Sequence, residues 1–304
     1  MTTQSDQLVD APKSRKGLLA VVIVVVLALL AGGYFFLFRG NGDAIKIGVV
    51  GASDPYWKTF EETAADEGIE VDIVDFTDYT QLNPALSAGE LDLNQFQHLV
   101  YLADYNVAND DDLAPIGSTA IYPLALYSKK YDSIEAIPDG AQVVVPDDAS
   151  NQARGLKILQ QAGLIELTDG GTIFSDLSDI DTANSRVEVT AAGADFTATS
   201  LDDVAAAVVN NDFVEKAGLD FDGALATDDP TDPVAAPYVN VFVARDKDKD
   251  NADYQKLVEI YQDTKAVTDG VLKVSGGTAV LLKTPPADLA KLLQDTEKVV
   301  KANQ

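Results

Sequence analysis

The chain has 304 residues, 46% of them hydrophobic, with 22 basic and 49 acidic side chains and a net charge of −27, apolar material for one large or two modest cores. That acidity repels nucleic-acid phosphate and anionic lipid headgroups, so neither is expected as a partner, and its ordinary use is to keep a surface soluble. Cysteine is absent and His98 is the single histidine, which excludes disulfides, thiolate or multi-histidine metal sites and thiol nucleophiles, and leaves a Ser-His-Asp arrangement dependent on His98 alone.

Residues 17–38 (GLLAVVIVVVLALLAGGYFFLF) form a run of 22 without a charge, about 33 Å long as a helix, which matches a bilayer's hydrocarbon core. Lys13, Arg15 and Lys16 precede the run and only Arg39 follows closely. The positive-inside rule therefore places residues 1–16 in the cytoplasm and everything after the helix outside the cell, a single-pass arrangement in the cell membrane. A cleaved signal peptide would have a shorter apolar core and an A-x-A-like site, and this segment has neither. A linker over residues 39–44 leads into the globular part.

Residues 44–50 (AIKIGVV) read as a strand, 56–66 as a helix and 69–74 (IEVDIV) as a half-exposed strand, together a β-α-β unit. The spacing then predicts a helix over 79–87, a short strand at 91–93, a helix over 98–107, and strands at 113–116 and 121–127. A second set opens with the strand 141–145 (AQVVV), closed by Pro146 and followed by Asp147-Asp148-Ala149-Ser150, a cluster of helix-capping residues. The helix that follows should end at Gly163. A strand at 187–189, a helix over 201–209, a strand at 239–244 and helices over 254–268 and 286–302 complete the chain. Strand-helix alternation argues for an α/β fold. Two such sets suggest two lobes, 45–126 with 244–304 and 127–243, and a ligand cleft at strand carboxyl ends or between domains.

Three places could carry chemistry. Arg154, one of few basic residues in the middle segment, would lie in the first turn or so of a helix, where a guanidinium and free backbone N–H groups suit a carboxylate; a surface pair with Asp147 or Asp148 is the alternative. Asn240 stands inside the apolar run YVNVFV and needs partners if buried, either a ligand's charged groups or neighbouring backbone. Asn210 follows the predicted helix 201–209 and serves a ligand or caps that helix. At the junction Asn94-Gln95-Phe96-Gln97-His98-Leu99-Val100-Tyr101, Phe96, His98 and Tyr101 could form a polarizable slot for a thioether, or could simply be core.

The chain from about residue 45 to 280 resembles the NlpA/MetQ family of methionine-binding lipoproteins. The resemblance rests on Phe76-Thr77-Asp78-Tyr79, Leu91 to His98, Tyr122-Pro123 with Tyr127-Ser128-Lys129-Lys130, Asp139-Gly140-Ala141 leading to Val145-Pro146, Asn151 with Arg154, Asn210, and Pro237-Tyr238-Val239-Asn240. It implies a two-lobed, type II-like periplasmic-binding-protein fold that delivers an amino acid to an ABC permease and ATPase, with no catalytic step, cofactor or metal. Carried over, Arg154 would hold the carboxylate, and Asn210 and Asn240 would share the amino and carboxylate groups. Tyr79, Phe96, His98, Tyr101 and Tyr122 would line the side-chain pocket, with Asn151 beside the Arg154 turn. Two features depart from the family. No lipobox cysteine is present, the chain reading Leu30-Ala31-Gly32-Gly33, and Ala153 stands where the family has glycine before the arginine. The cargo expected is methionine, with another apolar amino acid or a short methionine-containing peptide as the alternative. A cell-surface enzyme lacks any nucleophile elbow, metal motif or phosphate loop, and an adhesion or scaffolding role leaves Arg154, Asn210 and Asn240 unexplained.

Overall fold

The computed structural model describes residues 44–303. The expected cytoplasmic tail, the spanning helix 17–38 and all but the last residue of the linker lie outside them. Among the described residues no helix is long and apolar enough to cross a membrane.

The elements in chain order are β1 (Ile45–Val49), α1 (Pro55–Asp66), β2 (Val71–Asp75), α2 (Leu82–Ser87), β3 (Leu93–His98), α3 (Leu99–Asn109), β4 (Ala114–Ser118), β5 (Ala120–Ile121) and β6 (Ala125–Tyr127). Then come β7 (Gln142–Pro146), α4 (Ala149–Gln161), β8 (Glu188–Ala192), α5 (Ala194–Ser200), β9 (Ala206–Val209), α6 (Asn211–Val214), β10 (Ala226–Thr227), β11 (Asn240–Ala244), α7 (Ala252–Asp263), α8 (Lys265–Val274), β12 (Val280–Leu281) and α9 (Pro286–Asn303). The strands form two five-stranded mixed sheets, ordered β2-β1-β3-β11-β4 and β10-β6-β9-β7-β8, with β12 and β5 as a separate pair. In the first sheet β1 runs parallel to β2 and β3, and β11 runs antiparallel to β3 and β4. In the second, β7 is parallel to β8 and β9, whereas β6 is antiparallel to both β9 and β10. The chain thus leaves the first sheet after Ser118, joins the second at Ala125 and returns at Asn240, somewhat ahead of the lobe limits expected at 126/127 and 243/244.

Both faces of each sheet are covered, so central strands such as β9 and β11 are buried on both sides and mostly apolar, while β3, equally buried, carries amides that must find partners. Along β11, Phe242 and Ala244 join a core with Trp57, Phe60 and Tyr261, whereas Val241 and Val243 turn to the opposite side and pack with Leu99, Val100 and Leu289. Strand β9 divides in the same way, Ala207 and Val209 to one core and Ala206 and Val208 to the other. Period-2 alternation between two buried faces produces this pattern.

Several expected elements shift. The predicted helix 201–209 is instead strand β9 preceded by α5: the run Ala-Ala-Val-Val is buried at every position, and a short run buried on all sides has no polar stripe to separate helix from strand. The helix expected over 254–268 is two helices, broken at Thr264, whose backbone is extended (φ −76°, ψ 105°). The strand 121–127 splits into β5 and β6, because residues 122–124 carry the chain from one sheet to the other. Gly163 does lie just past the end of α4, in the left-handed region at φ 69°.

Candidate functional site

The carboxyl ends of β3, β7 and β9 and the start of β11 gather side chains from both sheets around one cavity. Tyr79, Phe96, His98, Tyr101, Tyr122, Asn151, Arg154, Asn210 and Asn240, the nine expected ligand residues, all line it. The free space enclosed between these side chains is narrow, about 40 Å³.

The first sheet positions the aromatic wall. Strand β3 is buried along its whole length, and its polar residues are satisfied by a network of amides: Asn83 Nδ2 donates to Gln97 Oε1 (2.8 Å), Asn94 Nδ2 to Asn83 Oδ1 (2.9 Å) and Gln97 Nε2 to Asn94 Oδ1 (2.9 Å). With these amides locked to one another, Phe96, Gln97 and His98 are held at the cavity wall. The ring of Phe96 lies 5.6 Å from that of Tyr79 and 5.6 Å edge-on from that of Tyr101. Phe213, from α6, stands 5.5 Å from Tyr79. Burial raises the hydroxyl pKa values of Tyr79, Tyr101 and Tyr122 far above the usual tyrosine value, so the wall is uncharged.

His98 fixes the link to the second sheet. It caps α3 by accepting from the Tyr101 backbone N–H at Nδ1 (3.1 Å), which leaves Nε2 as the donor to Asn151 Oδ1 at 3.2 Å. Burial first, and the nearby Arg154 charge second, push its pKa down to about 3, so the ring is neutral at physiological pH. Asn151 is held in turn by Asp148, the N-cap of α4, which accepts from the Asn151 backbone N–H at 2.9 Å and from its Nδ2 at 3.0 Å.

Arg154 follows one turn later and is 6% exposed. It pairs with neither Asp147 nor Asp148. Its Nε donates to Asp228, which also accepts the Leu124 backbone N–H at 2.9 Å; its Nη2 donates to the Tyr122 carbonyl at 2.8 Å, and its plane lies over the Tyr238 ring at 4.5 Å. Nη1 has no acceptor among the described residues. A guanidinium at the cavity wall, braced on three sides and with one nitrogen unengaged, suits an incoming carboxylate.

Asn210 follows β9 and precedes α6, so it is a helix N-cap residue rather than the C-cap its sequence context suggested; its φ of −69° and ψ of 147° are extended. The side-chain oxygens of Asn210 and Asn211 are buried without a donor. Asn240 pairs with His98 across the first sheet; its carbonyl accepts from the Thr119 backbone N–H at 2.8 Å, which leaves its side-chain amide to the cavity wall.

Asp212, Asp228 and Tyr238 were not singled out from sequence. Tyr238 had a legible signal, standing two residues before Asn240. Asp212 had a weaker one in its adjacency to Asn210-Asn211. Asp228 had none, being one of 49 acidic residues brought to Arg154 by the topology alone.

The model of the NlpA lipoprotein family matches residues 45–281. The D-methionine-binding lipoprotein MetQ of Escherichia coli K12 is 37% identical over 242 residues, 78% of this chain and 87% of that relative. Among solved structures, protein PG110 of Staphylococcus aureus matches with a TM-score of 0.79 at 32% identity, over 83% of this chain and 99% of that one. A nutrient-binding protein of Burkholderia cenocepacia, bound to methionine, matches with a TM-score of 0.72 at 34% identity, over 78% of this chain and 99% of that one. The α/β mixed sheets are those of periplasmic substrate-binding proteins, and the chain belongs to the NlpA lipoprotein family.

Proposed function

We propose that the chain is the extracytoplasmic substrate-binding component of an ABC importer, and that it takes methionine into the cavity between its two sheets and passes it to a membrane permease driven by an ATPase. The observation that carries this reading is Arg154: a buried guanidinium held by Asp228, the Tyr122 carbonyl and the Tyr238 ring, with Nη1 left for a ligand carboxylate. Opposite it, Tyr79, Phe96 and Tyr101 offer ring edges suited to a thioether, a contact worth about 0.3–1.5 kcal/mol. The D-methionine-binding relative of Escherichia coli and the methionine-bound protein of Burkholderia cenocepacia support the cargo. In this reading the β4–β6 and β10–β11 crossings are the hinge between two lobes, residues 17–38 are an uncleaved spanning anchor, and no chemical step occurs.

A second cargo, a short methionine-containing peptide, is favoured by one feature. A further void, about 590 Å³ with its mouth, adjoins the first through Pro123 and Asn211 and is lined by Tyr127, Val214 and Phe221. Calorimetric titration of the purified chain, refolded to strip co-purified ligand, against L-methionine, D-methionine, other amino acids and methionine dipeptides separates these. Tight methionine binding that is lost in Arg154→Ala is the expected result. Heat from a dipeptide alone would replace the cargo and keep the importer role; silence from every candidate would refute it.

A further inference from the structure

Among the side chains lining the cavity, Asp212 is the one carboxylate and Arg154 the one permanent cation. They are not each other's partners, since Arg154 is already paired with Asp228. Asp212 accepts instead from the Tyr79 hydroxyl at 2.7 Å through Oδ2, and Oδ1 has no donor among the described residues. Two further acceptors without donors, the buried side-chain oxygens of Asn210 and Asn211, precede it directly in the chain. One corner of the cavity therefore holds a carboxylate and two amide oxygens facing no matching hydrogen-bond donor.

Such a corner is costly unless something brings N–H groups and positive charge to it. Burial raises the Asp212 pKa, and the Tyr79 hydroxyl and then Lys216, on the same segment, pull against that rise; Lys216 forms no ion pair with Asp212 among the described residues, its ammonium standing 5.7 Å from the Phe213 ring. Asp54 faces the same region from the β1–α1 loop and adds repulsion. A primary ammonium, with three N–H groups and one charge, supplies what the corner lacks, and the Arg154 guanidinium lining the same cavity takes the carboxylate carried on the same carbon. The bond from Tyr79 also joins the two sides of the cavity, for Tyr79 follows β2 of the first sheet and Asp212 follows β9 of the second.

We propose that Asp212 selects ligands with a free α-ammonium, and that its bond to Tyr79 holds the two sides of the cavity together around that group. This rests on the amino-acid-binding reading above. The test uses the full chain in mild detergent and compares L-methionine with 2-hydroxy-4-(methylthio)butanoate, which keeps the thioether and carboxylate and replaces the ammonium by a hydroxyl. The wild-type protein should prefer methionine by about 100-fold, as loss of a charge-assisted contact implies. In Asp212→Asn, which keeps a hydrogen-bond acceptor and removes the charge, methionine should weaken about tenfold or more while the hydroxy acid holds or tightens, so that the preference collapses. Tyr79→Phe keeps the charge and should retain the preference while methionine leaves several-fold faster. A preference unchanged in Asp212→Asn overturns the assignment and leaves the importer reading intact. Wild-type protein that binds both ligands equally overturns it without any variant, and wild-type protein that binds no methionine overturns it together with the methionine assignment.

Discussion

Replacing Arg154 by lysine keeps the charge and removes the geometry. In the structure the guanidinium serves Asp228 through Nε, the Tyr122 carbonyl through Nη2 at 2.8 Å and the Tyr238 face at 4.5 Å, and still presents Nη1. A lysine ammonium is a single point with three N–H groups. Placed to neutralise Asp228 it cannot also reach the Tyr122 carbonyl and a ligand carboxylate in the directions the planar fork reaches them. Hydrogen bonds to charged groups are worth about 1.5–3 kcal/mol each. Losing one from the bound ligand should weaken methionine about 10- to 150-fold. The Tyr122 carbonyl left without a donor should cost about 1–3 kcal/mol of stability, a fall in Tm of about 2–4 °C per kcal/mol for a domain of this size. Calorimetric titration and scanning calorimetry of Arg154→Lys read both effects. Affinity within about threefold of wild type would refute the fork argument, since it would mean that charge alone suffices.

Three further outcomes follow from burial and charge. The His98 pKa is depressed to about 3 by burial and by Arg154, so between about pH 6.5 and pH 3 the unfolded chain binds a proton there that the folded protein refuses. This contribution to stability is complete above about pH 6.5 and falls by roughly 4 kcal/mol toward pH 3; denaturant unfolding of His98→Gln across that range should show the slope removed, and parallel profiles would contradict the assignment. Asp104 has the opposite sign: burial, reinforced by Asp148 across the α3–α4 contact, raises its pKa to about 7. Folded protein therefore keeps a proton there that unfolded chain loses above pH 4, and Asp104→Asn should be more stable than wild type by about 2 kcal/mol at pH 8, with the gain gone below about pH 4. Gly117 in β4 has no room for a methyl group, since a Cβ would stand 2.2 Å from Val258 Cγ1 on α7; Gly117→Ala should lose about 1–3 kcal/mol in chemical denaturation with the ligand contacts intact, and a neutral result would mean that α7 shifts freely on the sheet.

The alternation of strands and helices was legible because the buried strands are short, apolar and bounded by turn or capping residues, as AQVVV is by Pro146 and Asp148. What failed were segments whose pattern carries no direction. Ala206–Val209 is buried on every side, and its two alanines favour a helix as readily as its two valines favour a strand. The break between α7 and α8 had a local signal that the apolar periodicity overrode, namely Thr264, an N-cap residue type, directly before Lys265. At the site, Arg154, Asn210 and Asn240 stood out because each contradicts its surroundings, a cation among carboxylates or an amide among apolar residues. Asp228 and Asp212 do not, because a carboxylate in so acidic a chain is ordinary until the fold removes it from water. Asp228 is 74 positions from Arg154, and only the order of strands in the second sheet brings them together.

The same order of strands explains how a site assembled from two sheets could release what it binds. Two side-chain hydrogen bonds join the sides of the cavity, from His98 Nε2 to Asn151 Oδ1 at 3.2 Å and from the Tyr79 hydroxyl to Asp212 Oδ2 at 2.7 Å. One is a bond between neutral groups and the other a neutral donor to a carboxylate, so together they supply about 2–4 kcal/mol. Against them stand the repulsion of Asp104 by Asp148 and the desolvated carboxylate of Asp212, whose corner lacks donors of its own. In the proposed reading the differential contacts of the ligand decide the balance between the open and closed arrangements. A salt bridge in place of either bond would resist opening. A transport component needs a latch that its cargo completes, and the unmatched acceptors at Asn210, Asn211 and Asp212 are where that completion would occur.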